Sequence, residues 1–225
     1  MSQTTDQPAG SAVAGENSAA HAHPDGAAAV AAAPVAVGDP GMIGVPAFMI
    51  GSLALGLVLV GFVPATATGA SVPIIMTAAG IGQLIAAVWA ARLAQNASAA
   101  IFVIFTGFWL SYAALVLGLT HNWFGITADD ALGTQKLFLT CWLIMVVVLT
   151  VVSLRLPLAF TVLFVLVDIA LLLVLLGTAN GSASLTKAGG YAVLSFVIVG
   201  VYLFLNGMSV ATGGREYPLG RPVLR

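Results

Sequence analysis

Few side chains in these 225 residues can do acid–base, nucleophilic or metal chemistry, and most of them stand outside apolar sequence. Asp168 is the exception, a carboxylate in the middle of an apolar run. Placing such a group at mid-helix in a bilayer costs about 2.5–3.5 kcal/mol on insertion scales, so it is a functional candidate by default. One role is a proton-coupling or pore-side acid; the other is a protonated acid that hydrogen-bonds a neighbouring helix. Gln83 and Asn206 carry amides with both donors and acceptors, able to hold a carboxylate or to join helices. Thr106, Ser111 and Tyr112 share a third apolar run, where hydroxyls most often bond their own backbone. The histidines lie at 21, 23 and 121. His21 and His23 offer at most a weak metal contact, with no further ligand near them. Cys141 alone permits neither an internal disulfide nor a cysteine-built zinc site. No Ser–His–Asp set and no helix-borne histidine is available, so neither an enzyme nor a cofactor is expected.

The elements that must position these groups follow from composition. Hydrophobic residues make up 60% of the chain and charged residues 7%, with a mean hydropathy of +1.08. Soluble domains carry about a quarter charged residues, so the solvent for most of this surface is a lipid bilayer. A net charge of −1 leaves no basic surface for nucleic acid. Residues 1–43 are alanine-rich and mildly acidic, without Lys or Arg, and read as a disordered tail. Beyond them, six apolar segments are each long enough to cross a core of about 30 Å as a helix: 44–63, 72–93, 98–119, 135–154, 158–176 and 188–208. Arg155 and Pro157 mark a sharp turn between the fourth and fifth. The fold class is therefore all-α, a six-helix transmembrane domain over 44–213 with a short tail at 214–225. Placing both termini in the cytoplasm puts Arg92, Arg155, Arg215, Arg221 and Arg225 inside and Lys136 and Lys187 outside, as the positive-inside rule prefers.

Ala78, Gly82, Ala86, Ala90 and Ala94 recur every four residues in the second segment, a small-residue face for close helix approach. Gly51 and Gly56 in the first segment, and Gly189, Gly190 and Gly200 around the sixth, offer more such points. The stripe serves either a tight monomeric bundle or an oligomer interface. None of the seven Lys and Arg lies at mid-depth. An anionic substrate must then be small and held by hydrogen bonds or dipoles, or cross in its protonated form, which argues against phosphate esters, nucleotides and multiply charged acids. Val45-Pro46-Ala47 is the nearest approach to the paired Asn-Pro-Ala half-helices of aquaporin-like channels.

Gly80-Ile81-Gly82-Gln83, followed by Phe108-Trp109-Leu110, resembles the second and third helices of the acetate uptake transporter family, which includes bacterial succinate–acetate permeases and fungal ammonia/acetate exporters. Gly214-Arg215-Glu216-Tyr217-Pro218-Leu219-Gly220 resembles the Gly-Arg and Leu-Pro-x-Gly that close bacterial members. The resemblance spans about residues 42–220. It implies a plasma-membrane permease or channel for acetate and similar small monocarboxylates, extending to succinate, proton-linked, and assembled as a homo-hexamer with one pore per protomer. It also implies a constriction built from an aromatic on the first helix, a Tyr on the third and a Leu on the fifth. Matching the flanking motifs puts these positions near Ser52 or Leu53, at Phe105 and at Val167, beside Asp168. With the aromatic missing and the Leu replaced by Val, a wider or more polar neck is expected. The family's opening Asn-Pro-Ala-Pro-Leu-Gly-Leu, set against residues 43–49, keeps only Pro46. Two rival functions are a channel for small uncharged solutes such as water, ammonia or carbon dioxide, and a non-transporting subunit of a membrane assembly.

Overall fold

The computed structural model describes residues 38–64, 66–67 and 69–224, so the tail with His21 and His23 lies outside the described residues. Within them the chain forms six long apolar helices, each able to cross a membrane, and no strand. They are α1 Gly41–Val60, α2 Val72–Arg92, α3 Asn96–His121, α4 Ala128–Ser153, α5 Leu158–Ala179 and α6 Ala183–Ala211. Short connections make sequence neighbours antiparallel. In the bundle α1 packs between α2 and α6, α3 lies against α2, and α5 joins α6 to α4. Aromatic contacts of Phe108 with Phe138 and Trp142 bring α3 and α4 together, closing a ring around a central axis.

The helices outrun the apolar segments because hydropathy senses the hydrocarbon region, whereas the backbone ladder continues into polar sequence. The fourth begins at Ala128 rather than near 135, with Asp129 and Asp130 in its first turn, where acids complement the helix dipole. The sixth begins at Ala183, and the Ser182 hydroxyl accepts from the Leu185 N–H. The first begins at Gly41, directly after Asp39-Pro40, and ends at Val60, capped by Gly61 with φ 90°. Pro157 caps α5.

The small-residue stripe on α2 is offset from its expected line. Residues Ile75–Ile81 form a π-helical stretch, whose wider turn rotates the following residues relative to an α-helix. Ala79, not Ala78, is therefore buried, followed by Gln83, Ala86 and Ala90, while Ala78 and Ala94 are exposed. This face is used within the protomer. A methyl on Gly82 would stand 2.8 Å from the Ala47 Cβ of α1. The glycines of α1 and α6 work the same way, Gly56 against Val193 and Leu194, Gly190 against Leu59 and Val60, and Gly200 against Met49.

Candidate functional site

Two cavities lie along the axis of the ring. The vestibule, about 290 Å³, is lined by the start of α1 (Asp39, Gly41, Val45), Gln83 of α2, Ser98 at the start of α3, Phe160 of α5, and Asn206 of α6. The chamber, about 60 Å³, is lined by Ser52, Trp109, Tyr112, Val167 and Phe196 among mostly apolar neighbours. Phe48 and Phe105 line both cavities, and no other residue does. Their rings meet edge to face at 4.8 Å between centroids. Phe48 also stacks on Phe196 at 5.5 Å, and Phe105 on Phe164 at 6.1 Å. Offset and edge-on aromatic pairs are the favoured geometries, so the cluster forms a packed apolar neck.

This geometry corrects the first-helix expectation. The aromatic is present, at Phe48, one turn before Ser52 and on the same helix face. Ser52 is fully buried on the chamber wall, and its hydroxyl donates to the Phe48 carbonyl at 2.8 Å. Leu53, one step of about 100° further round, is 36% exposed and points outward, away from both cavities. Four phenylalanines, Phe48, Phe105, Phe164 and Phe196, meet at the junction. The helix start at Gly41 also resets the opening motif. Asp39-Pro40 stands six residues before the expected Val45-Pro46, and the Asp39 carboxylate accepts from the Gly41 N–H at 2.8 Å.

Of the two positions that the family resemblance implied, Phe105 lines both cavities at the neck and Val167 lines the chamber alone. Asp168 does not. It lines neither cavity; it sits on the α4–α5 seam, where the Thr150 hydroxyl donates to its Oδ2 at 2.6 Å and its Oδ1 has no partner. It directly follows Val167, and a helix turns by about 100° per residue, so the two point in different directions. Asp168→Asn is expected to leave the rate of solute passage within about twofold, because an amide keeps an acceptor for Thr150. A loss of an order of magnitude in proteoliposome flux would put the carboxyl back on the path.

Gln83 and Asn206 both line the vestibule, but neither amide is wholly free. Gln83 Nε2 donates to the Gly44 carbonyl at 3.3 Å, joining α2 to α1. Asn206 Oδ1 accepts the Tyr217 N–H at 2.5 Å and so holds the segment after α6. That segment runs back across the vestibule end of the bundle. The Tyr202 hydroxyl donates to the Pro218 carbonyl at 2.9 Å, the Ala159 N–H to the Leu219 carbonyl at 2.9 Å, and the Leu224 N–H to the Leu154 carbonyl at 2.8 Å. Leu219 consequently becomes part of the vestibule wall. The sequence reading missed Phe48, Trp109, Asp39 and Leu219 as lining residues. For Phe48, a helix start placed at Asp39-Pro40 would have been the signal. For Leu219, no periodicity exists to find.

Thr106 and Ser111 hydroxyls donate to the Phe102 and Phe108 carbonyls of their own helix. Among the described residues, Asp39 is the only charged side chain in the lining of either cavity.

A family model described as the GPR1/FUN34/yaaH family matches residues 22–214. Among curated proteins, the chain is similar to Accumulation of dyads protein 2 of Saccharomyces cerevisiae, 30% identical over 195 residues covering 82% of this chain and 65% of that one. It is also similar to Acetate permease A of Emericella nidulans, 25% identical over 186 residues, 76% of this chain and 61% of that one. The chain thus spans less than two thirds of the length of these relatives. The solved structure of the bacterial acetate channel SatP superposes with a TM-score of 0.73 at 19% identity, covering 82% of this chain and all of that one.

Proposed function

The chain belongs to the GPR1/FUN34/YaaH family, and from that membership we propose that it is a channel or permease for acetate and similar small monocarboxylates, with protons accompanying the solute. The observation that carries this reading is the pair of axial cavities meeting at Phe48 and Phe105. A mostly apolar vestibule with four polar side chains in its wall, narrowing to an apolar neck, is a path for a small solute, and apolar constrictions control passage by dewetting. The relative named as an acetate permease supports acetate as the solute. The lining supports a small one, since it carries no cation that would pair with a large or multiply charged anion. The positive-inside count supports a cytoplasmic vestibule, with Arg92, Arg155, Arg215 and Arg221 at that end of the bundle. The broad apolar outer surface, including Ile85, Val88 and Ile144, suits lipid and the contacts of a homo-hexamer with one pore per protomer. The plasma membrane is the proposed location.

Uptake of radiolabelled acetate into proteoliposomes tests the reading. Faster uptake at about pH 6 than at about pH 8, following the protonated fraction of the acid, is the expected result. An absence of protein-dependent uptake at both values sinks it. Water or ammonia flux that acetate does not compete with would favour the uncharged-solute channel instead.

A further inference from the structure

Asp39 sets a carboxylate in the wall of the vestibule, where no Lys or Arg joins it among the described residues. Its side chain is exposed and lines the cavity. Oδ1 accepts the Gly41 N–H at 2.8 Å, and Oδ2 lies toward α6, 4.0 Å from where a Cβ on Gly207 would stand. Gly207 and Asn206 before it line the same cavity, so the charge borders open space. The other polar side chains of the wall, Gln83, Ser98 and Asn206, are uncharged. The charged side chains at this end of the bundle, Arg92, Arg155, Arg215, Glu216 and Arg221, are all exposed and stand outside the lining. Water and salt screen those outer charges. Mostly apolar walls focus the field of the inner one. A cavity of about 290 Å³ is about 8 Å across if round, no more than one Debye length at physiological salt, so a solute anywhere inside it feels Asp39.

We propose that Asp39 is the charge-selecting residue of the path: its carboxylate holds the dissociated monocarboxylate out of the vestibule and leaves the undissociated acid as the species that reaches the neck. This rests on the monocarboxylate reading and assigns its dependence on protons to a named side chain. An anion entering the vestibule meets like charge, with no cation in the wall to offset it. The neutral acid meets none of that repulsion, and its O–H can donate to Oδ2. The pH dependence then belongs to the solute's own titration, and Asp39 decides which of the two forms is let in.

The test is uptake of radiolabelled acetate into proteoliposomes at about pH 5 and about pH 8, each in about 0.01 M and about 1 M salt, between which the Debye length falls from about 30 to about 3 Å. Asp39→Asn removes the charge and keeps an acceptor for the Gly41 N–H. At low salt it should raise uptake at the higher pH about tenfold over the wild type and leave uptake at the lower pH within about twofold. At high salt the two proteins should converge. Asp39→Glu, which restores the charge, should keep the wild-type dependence on pH and salt, with both variants eluting as the wild type on size-exclusion chromatography. A merely structural role for Asp39 would produce no difference that salt abolishes. Equal uptake by Asp39→Asn and wild type at the higher pH, or a difference that salt leaves unchanged, overturns the proposal and keeps the transport reading. A loss of methylammonium uptake in Asp39→Asn with acetate uptake unaltered makes the carboxylate a cation site and overturns it too. Wild-type liposomes without protein-dependent acetate uptake sink the transport reading, and the proposal with it.

Discussion

Phe48→Ala should raise acetate flux through the protein about tenfold or more, equivalent to about 1.4 kcal/mol off the barrier, and should admit larger carboxylates. Phe48 is the residue around which the neck is organised, in contact with Phe105, Trp109 and Phe196 at 4.8, 6.2 and 5.5 Å between centroids. Removing its ring joins the vestibule to the chamber, and an apolar gap that widens past the size of a water molecule fills and conducts. A buried Phe→Ala change costs about 3–5 kcal/mol in a close-packed core. Here the loss should fall below that range, since the ring already borders two cavities and part of the void exists. Uptake of acetate and of a longer monocarboxylate, measured in parallel on wild type and variant, checks the expectation. Equal rates in both would mean that the barrier lies elsewhere and that the aromatic cluster is only packing.

Gly190→Leu should abolish the folded protein. A Cβ at Gly190 would stand 2.8 Å from the Leu59 Cβ and 3.0 Å from the Val60 backbone nitrogen. The second atom belongs to the main chain, so α1 itself must move away. In a bilayer, helices associate through van der Waals packing rather than water exclusion, which makes a lost close approach hard to recover. Overpacking a core costs about 1–3 kcal/mol when side chains can give, and backbone cannot give. Fluorescence-detected size-exclusion chromatography should show the monodisperse peak lost. Gly133→Leu supplies the contrast, because nothing stands within 4 Å of a Cβ there; it should elute as the wild type. A normal peak for Gly190→Leu would show that α1 and α6 can slide apart without loss.

The six spans were legible because lipid imposes a constraint that shows directly in composition: about twenty apolar residues per crossing, whatever the neighbours are. The interior was less legible, since a membrane protein can be apolar on both faces and leaves little amphipathic contrast to say which side faces in. Phe105 and Val167 were placed by local motif matching, and the cavities include both. The first-helix assignment slipped by one turn, because the apolar run hides where the helix starts. A four-residue slip preserves the helix face, which is why Ser52 still lines the chamber although the aromatic is Phe48. The Leu53 alternative, one residue on, left that face. Asp168 stayed open between its two roles for a different reason. Sequence reveals the expense of an intramembrane acid but not its partner, and Thr150 lies 18 positions away on another helix. The π-helical turn in α2 was invisible to a count by fours, and it moved the buried line from Ala78 to Ala79.

The segment that folds back after α6 ties the entrance of the path to the order of synthesis. All six helices are translated before residues 215–224 exist, so a nascent bundle has its spans in place while its vestibule still lacks the wall that Leu219 supplies. A product stopped between residues 212 and 216 would carry a complete set of helices and an unfinished mouth. Asn206 would then present to the vestibule the carbonyl that Tyr217 otherwise occupies. Truncated chains of this kind would keep the neck of Phe48 and Phe105 but lose the wall that shapes the approach to it.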